Sequence, residues 1–327
     1  MSLLINILLF FVGLAAIIKG ADWLTDGAAA IARYFGIPTI VVGLTIVAIG
    51  SSAPEFVVSV VSAIRGNSDM ALGNVVGSNI FNILAIMGVT AFVAPVKVSR
   101  ENVRNDLSFI VLSSIVIAIT ALDTIIDGTT PGVISRSEGL MMLCMFAIFM
   151  SYTFSIAKAP SPAPSQSAEP AENASRSIWF QVFLVIVGLA GLIIGGEWMV
   201  DGAVGMARAI GISEAIIALT IVSVGTSAPE LAASVMAAKK GDTAMAMGNI
   251  VGSVVFNVFF VLGTSAVILP LGISGVTLVD IGVLLFSSAL FYILCCVGKT
   301  KLTLTRTDGA IMILIIIAYY IWLVLNA

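Results

Sequence analysis

Residues 48–55 read Ala-Ile-Gly-Ser-Ser-Ala-Pro-Glu, and residues 223–230 read Ser-Val-Gly-Thr-Ser-Ala-Pro-Glu. The two stretches belong to a longer match at a constant offset of 175: residues 36–95 align with 211–270 without a gap, with 27 identities in 60 positions. Shared hydrophobicity alone does not produce that agreement. It continues upstream, where Gly20-Ala21-Asp22-Trp23-Leu24-Thr25-Asp26-Gly27 faces Gly195-Gly196-Glu197-Trp198-Met199-Val200-Asp201-Gly202. Arg33 and Gly36 likewise face Arg208 and Gly211. The chain is a duplication.

The medium in which it folds follows from composition. Of 327 residues, 59% are apolar and 10% charged, whereas a soluble domain carries roughly 45–50% and about 25%. Water could not solvate such a surface, so a soluble enzyme is excluded. Nucleic-acid binding is excluded too, because the net charge is −3 and no basic patch occurs. Histidine is absent, which removes His metal sites, His proton relays and Ser–His–Asp chemistry together. Cys144, Cys295 and Cys296 lie in apolar runs without a CxxC pattern and are read as packing residues.

Apolar runs of spanning length occur near 3–20, 38–64, 70–94, 105–122, 136–156, 179–199, 212–238, 244–270, 277–297 and 307–325. Ten transmembrane helices are expected, with further helix near 20–36 at the membrane face. The first run has no basic segment before it and no small-residue cleavage site after it, so it is read as a helix and not as a signal peptide. Lys158–Arg176, rich in Pro, Ser, Ala and Glu, cannot bury enough apolar surface to order itself. It divides the chain into a first repeat, 1–157, a flexible linker, 158–177, and a second repeat, 178–327. The triplet Asn173-Ala174-Ser175 fits a glycosylation acceptor, a pattern common by chance.

With the N-terminus outside, twelve Lys and Arg fall on the inner side, and only Arg65, Arg136 and Arg208 fall outside. This positive-inside bias places both termini outside and the linker in the cytoplasm of a cell-membrane protein. Five spans per half is an odd number, so equivalent helices cross in opposite directions. Inverted repeats are the plan of secondary transporters, with the binding site near mid-membrane at the repeat interface.

Two polar islands per half carry the chemistry. Pro54 and Pro229 have no N–H and crowd the carbonyl four residues back, at Gly50 and Gly225, so the helix should break around residues 48–52, with the same arrangement repeated before Pro229. Freed carbonyls are costly in lipid, and a cation can take up their lone pairs. Glu55 and Glu230 follow directly, with no basic residue near them in sequence, so a bound cation is the expected counter-charge. The hydroxyls of Ser51, Ser52, Thr226 and Ser227 lie beside them. In the second island Ser78 and Asn82, and likewise Ser253 and Asn257, are four apart on one helix face. Gly73 and Gly77, and Gly248 and Gly252, form G-x-x-x-G pairs that permit close helix approach. Carboxylates, hydroxyls, amide oxygens and carbonyls suit Ca²⁺ or Na⁺. They argue against Zn²⁺ and Cu, and suit Mg²⁺ less well. A fixed charge of −2 balances one Ca²⁺ or two to three Na⁺. A cation channel, or an intramembrane enzyme using the glutamates as acid and base, are the competing classes.

The duplicated G-[ST]-S-x-P-E and G-N-x-x-G-S-x-x-x-N islands resemble the α-repeats of the Ca²⁺/cation antiporter superfamily, and within it the prokaryotic Na⁺/Ca²⁺ exchanger branch. The resemblance covers nearly the whole chain. It implies an all-α polytopic fold of ten helices in two inverted five-helix repeats, and antiport of Na⁺ against Ca²⁺ with no cofactor, no enzymatic activity and no required protein partner. It implies that Glu55 and Glu230 bind Ca²⁺ and share in binding Na⁺. It further implies that Ser51, Ser52, Thr226, Ser227, Ser78, Ser253, Asn82 and Asn257, with the carbonyls of Ala48 and Ser223, complete the sodium sites. The first and sixth helices would slide past the rest. Another branch exchanges Ca²⁺ for H⁺. One position departs: Asn257 stands where the best-understood prokaryotic exchangers carry Asp.

Blander roles suit other residues. Asn74 and Asn249 are expected to bond the broken helix backbone. Asp22, Asp26, Glu197 and Asp201 are expected at helix ends near the interface, with Trp23 and Trp198 as anchors. Met70 and Met245 are expected to fill gaps between packed helices.

Overall fold

The computed structural model describes residues 3–98, 105–122, 128, 132–157, 177–209, 223–273, 276–296 and 302–326. The linker with its Asn173 triplet, and the first part of the span expected at 212–238, lie outside the described residues.

The first half holds α1 (Leu3–Phe35), α2 (Thr39–Ser51), α3 (Ala53–Ile64), α4 (Ser68–Val93), α5 (Asp106–Ala121) and α6 (Arg136–Ala157). The second holds α7 (Ile178–Ala209), α8 (Ser223–Thr226), α9 (Ala228–Lys239), α10 (Thr243–Ile268), α11 (Leu278–Cys296) and α12 (Arg306–Asn326). Seven of these are long and apolar enough to cross a membrane, and α2 with α3, bent by 48° at their junction, make an eighth. The protein is a multi-pass, helical membrane protein. Among the described residues four two-residue strands interrupt the all-helical expectation: β1 (Val96–Lys97), β2 (Val133–Ile134), β3 (Leu271–Gly272) and β4 (Thr303–Leu304). They are too short for any period to show in sequence. β1 pairs antiparallel with β4 and β2 with β3, so each pair joins the two halves.

α4 and α10 form the centre, with 83% of each spanning window buried, against 17–28% for α1, α6, α7 and α12. Both start on a side-chain cap that satisfies a free backbone N–H. Asn67 accepts from Met70 N at 3.1 Å, and Asp242 accepts from Met245 N at 2.9 Å. Asp242 also accepts from Thr39 Oγ1 at 2.9 Å, joining the start of α2 to the start of α10. α6, α11 and α12 begin with capping boxes, in which Glu138, Asp280 and Asp308 accept from Ser135, Thr277 and Thr305.

α1 takes in both the span read as 3–20 and the further helix expected near 20–36, as one continuous helix to Phe35, and α7 likewise runs past the expected 199 to Ala209. They lie antiparallel along their length, glycine against backbone. A Cβ on Gly13 would come 2.5 Å from Gly195 O, one on Gly20 2.7 Å from Gly188 O, and one on Gly27 2.8 Å from Gln181 O. These glycines recur every seventh residue, at 13, 20, 27 and at 188, 195, 202, which keeps one bare seam facing the partner helix. Asp22 and Asp26 therefore stand inside a helix and not at its end. Lys240, following α9, reaches them at 2.6 and 2.8 Å.

Equivalent hydrogen bonds brace the periphery. Tyr152 donates to Asp106 at 2.7 Å and Tyr319 to Asp280 at 2.6 Å, tying α6 to α5 and α12 to α11. Ser114 meets Ser288 at 2.6 Å where α5 and α11 cross. Cys295 is buried, Cys296 half-buried and Cys144 exposed, all as free thiols. Met245 is buried as expected of a packing residue, but Met70 is 48% exposed and fills no gap.

Candidate cation site

The helix breaks fall where proline dictates. Ser52 (φ −83°, ψ 10°) and Ser227 (φ −90°, ψ 7°) leave helical geometry at matched positions, and a new helix starts at the next residue. Pro54 and Pro229 then occupy its first turn, where a missing N–H costs nothing. Glu55 and Glu230 stand in the same first turn, at the positive end of the helix dipole. The break is tighter than a full unwinding. Ala48 O still accepts from Ser52 N at 3.0 Å and from Ser51 Oγ at 3.4 Å, so that carbonyl is not stripped of its partner.

The two halves close on each other through these breaks. Ser52 Oγ donates to Glu230 Oε1 at 2.7 Å, and Ser227 Oγ donates to Glu55 Oε1 at 3.0 Å. Each repeat's serine thus holds the other repeat's glutamate. Both carboxylates are buried, and among the described residues neither has a cationic partner. Ser51 Oγ reaches Asn249 Oδ1 at 3.3 Å.

Around them, α4 and α10 pass into π-helical turns at Asn82–Ile86 and Phe256–Leu262. Such wide turns are frequent at functional sites. The turn beginning at Asn82 packs on α9, which carries Glu230, and the one beginning at Phe256 packs on α3, which carries Glu55. Ser78, Asn82, Ser253 and Asn257 are all buried. Seven buried side-chain atoms of this group have no protein partner among the described residues: Glu55 Oε2, Glu230 Oε2, Ser78 Oγ, Ser253 Oγ, Asn257 Oδ1, and both Oδ1 and Nδ2 of Asn82. Each such orphan costs about 1–3 kcal/mol, and more for a charged group. Six of the seven are oxygens, the donors a hard cation takes.

Thr226 is half-buried at the end of α8, and Ser223 begins that helix. Among the described residues no three of His, Cys, Asp and Glu gather anywhere. Among the described residues the site offers two carboxylates together with neutral hydroxyl and amide oxygens.

Asn74 and Asn249 serve the backbone, as their positions suggested. Asn74 Nδ2 donates to Glu55 O at 3.2 Å and Ser59 Oγ at 2.9 Å, and Asn249 Nδ2 to Glu230 O at 3.3 Å and Ser234 Oγ at 2.8 Å. Ser59 and Ser234 are not among the expected site residues, although both lie one turn beyond the glutamate and are identical in the two repeats. Asn79 was missed as well, for the opposite reason: its counterpart is Val254, so the duplication does not mark it. It is buried and bonds Val254 O and Asn257.

The chain matches the model of the sodium/calcium exchanger protein family over residues 5–155 and again over 180–325. It is 33% identical to the inner membrane protein YrbG of Escherichia coli over 88% of this chain and 87% of that one. It is 28% identical to the sodium/calcium exchanger MaX1 of Methanosarcina acetivorans, over 97% and 98%. Among solved structures it superposes on the sodium-calcium exchanger NCX_Mj, soaked with 10 mM Na⁺ and no Ca²⁺. The TM-score is 0.82 at 30% identity, covering 98% of this chain and 99% of that one. With nearly its whole length matched by the family model and by these relatives, the chain belongs to the sodium/calcium exchanger family.

Proposed function

We propose that this protein exchanges Na⁺ for Ca²⁺ across the cell membrane, electrogenically and by alternating access. Glu55 and Glu230 are shared between the two ions. The observation that carries this reading is the reciprocal closure of the glutamates by Ser52 and Ser227, beside buried oxygens that no protein group satisfies. Two carboxylates balance one Ca²⁺. When it leaves, Na⁺ ions take the same carboxylates, with Ser51, Ser52, Thr226, Ser227, Ser78, Ser253, Asn82, Asn257 and the carbonyls of Ala48 and Ser223 as neutral ligands. If three Na⁺ replace one Ca²⁺, each cycle moves net charge. Competition for one charged pocket couples the fluxes, because neither ion can be bound while the other fills it.

The architecture we assign is ten crossings in two inverted repeats, 1–157 and 178–327, joined by the cytoplasmic linker 158–177, with both termini outside. The antiparallel course of α1 and its repeat equivalent α7 supports it. So do the strands. In that topology the segments holding β1 and β4 fall on one side of the membrane and those holding β2 and β3 on the other, which their pairing requires. An inverted pair of broken helices around one buried site is the arrangement that rocking or sliding can open to either side in turn.

The test is ⁴⁵Ca²⁺ uptake into proteoliposomes under an imposed Na⁺ gradient with the proton gradient collapsed. Uptake that follows the Na⁺ gradient supports the reading. Uptake driven only by a proton gradient assigns Ca²⁺/H⁺ exchange instead, and uptake without any counter-ion assigns a channel.

A further inference from the structure

Asn82 and Asn257 are equivalent in the repeat and both buried, yet the structure constrains them differently. Asn82 has neither amide atom partnered among the described residues, whereas Asn257 lacks a partner only at Oδ1. Its Nδ2 donates to Asn79 Oδ1 at 3.3 Å, and Asn79 Nδ2 donates to Val254 O at 3.3 Å. Val254 and Asn257 are three apart on α10, where α-helical bonding passes into the π-helical turn. Asn79 reaches both from α4.

The order of donors and acceptors here is forced. A backbone carbonyl only accepts, so the NH₂ end of Asn79 faces Val254 O and its oxygen faces Asn257. That oxygen also only accepts, so Asn257 must present its NH₂ end to Asn79 and turn its own oxygen away. One carbonyl thus fixes the sense of two side-chain amides in succession. No such relay acts on Asn82, because the residue matching Asn79 in the second half is Val254.

We infer that Asn79 is a positioning residue which makes Asn257 a fixed oxygen ligand for the transported cation; this rests on the ion-site reading above. Without Asn79 the Asn257 amide rotates, and the orientation that points NH₂ at a cation repels it. The relay also accounts for an amide at position 257. A carboxylate there has no NH₂ end to offer and would set its oxygen against Asn79 Oδ1.

The experiment is a double-mutant cycle on Na⁺-dependent ⁴⁵Ca²⁺ uptake by the purified, reconstituted protein, using Asn79→Val, Asn257→Ala and the pair. Asn79→Val installs the residue that the second repeat already carries. Asn79→Thr, which keeps a hydroxyl donor for the Val254 carbonyl, serves as the alternative if the valine variant does not assemble. Because Asn79 acts through Asn257, loss of Asn79 should raise half-saturating Na⁺ on the order of tenfold, with little change in maximal rate, and should add nothing once Asn257 is alanine. Asn257→Asp should likewise be impaired alone and improved by Asn79→Val. A wild-type Na⁺ dependence in the Asn79 variants, or effects of Asn79→Val and Asn257→Ala that simply multiply, overturns the assignment while wild-type exchange continues. A wild type that carries neither ion overturns the site reading and this inference together.

Discussion

Asp22 and Asp26 of α1 and Glu197 and Asp201 of α7 occupy matching places in the duplication, but among the described residues only the first pair is answered by a cation. Lys240 bonds both aspartates, and also Asp22 O at 2.8 Å and Thr25 Oγ1 at 3.0 Å, and α1 packs along α9 beside it. Arg65, the repeat equivalent of Lys240, is exposed and makes no ion pair among the described residues. α10 in turn is seated directly on α2: a Cβ on Gly248 would strike Ile40 O, and one on Gly252 would lie 2.7 Å from Leu44 O. Most of the segment that corresponds to α2 in the second half lies outside the described residues. Matched positions of one sequence plan thus meet different charged partners in the two halves.

The largest expected effect tests where the halves should be equal. Glu55→Gln and Glu230→Gln should each abolish Ca²⁺ uptake, by at least about 100-fold, since each removes half the charge that holds a divalent ion. Flux measured in reconstituted vesicles checks this, and a variant that keeps wild-type flux takes its residue out of the pocket. Next comes the seam of α2 and α10. Gly248→Ala should destabilise the protein by about 1–3 kcal/mol, because its methyl meets backbone and not a movable side chain. Thermal unfolding in detergent checks this, and an unchanged midpoint would mean that α10 is not seated on α2.

The smallest effect concerns the ion pairs. Lys240→Ala should cost at most about 1 kcal/mol, because these groups are part-exposed and screened by water. It should also loosen α1 from α9, whereas Arg65→Ala should leave that contact as it is. Alkylation of a cysteine introduced at Ala21, which is buried in α1, would report the difference. Equal alkylation of both variants would break the contrast.

Much of this is legible in the sequence alone. The offset of 175 fixed which residues correspond, and Pro54 and Pro229 located the breaks, because a ring in place of an N–H acts locally whatever surrounds it. The features that stayed hidden depend on partners far away in the chain. Lys19, Asp22 and Asp26 look like the end of a span until Lys240 arrives from the other half to pair with two of them. Gly13, Gly20 and Gly27 look like ordinary membrane glycines until α7 presents the same seven-residue seam in reverse. Asn79 has a meaning only through the carbonyl of Val254. The cap pairs Ser135/Glu138, Thr277/Asp280 and Thr305/Asp308, by contrast, are three-residue spacings that mark helix starts locally.

One buried oxygen pocket serving both ions is the proposed basis of exchange. Equilibrium ⁴⁵Ca²⁺ binding to the detergent-purified protein, titrated with Na⁺, tests it without requiring transport. The predicted result is one Ca²⁺ per chain, displaced competitively by Na⁺ and lost in both Glu55→Gln and Glu230→Gln. Ca²⁺ that stays bound at saturating Na⁺, or that binds equally well to both variants, would contradict it.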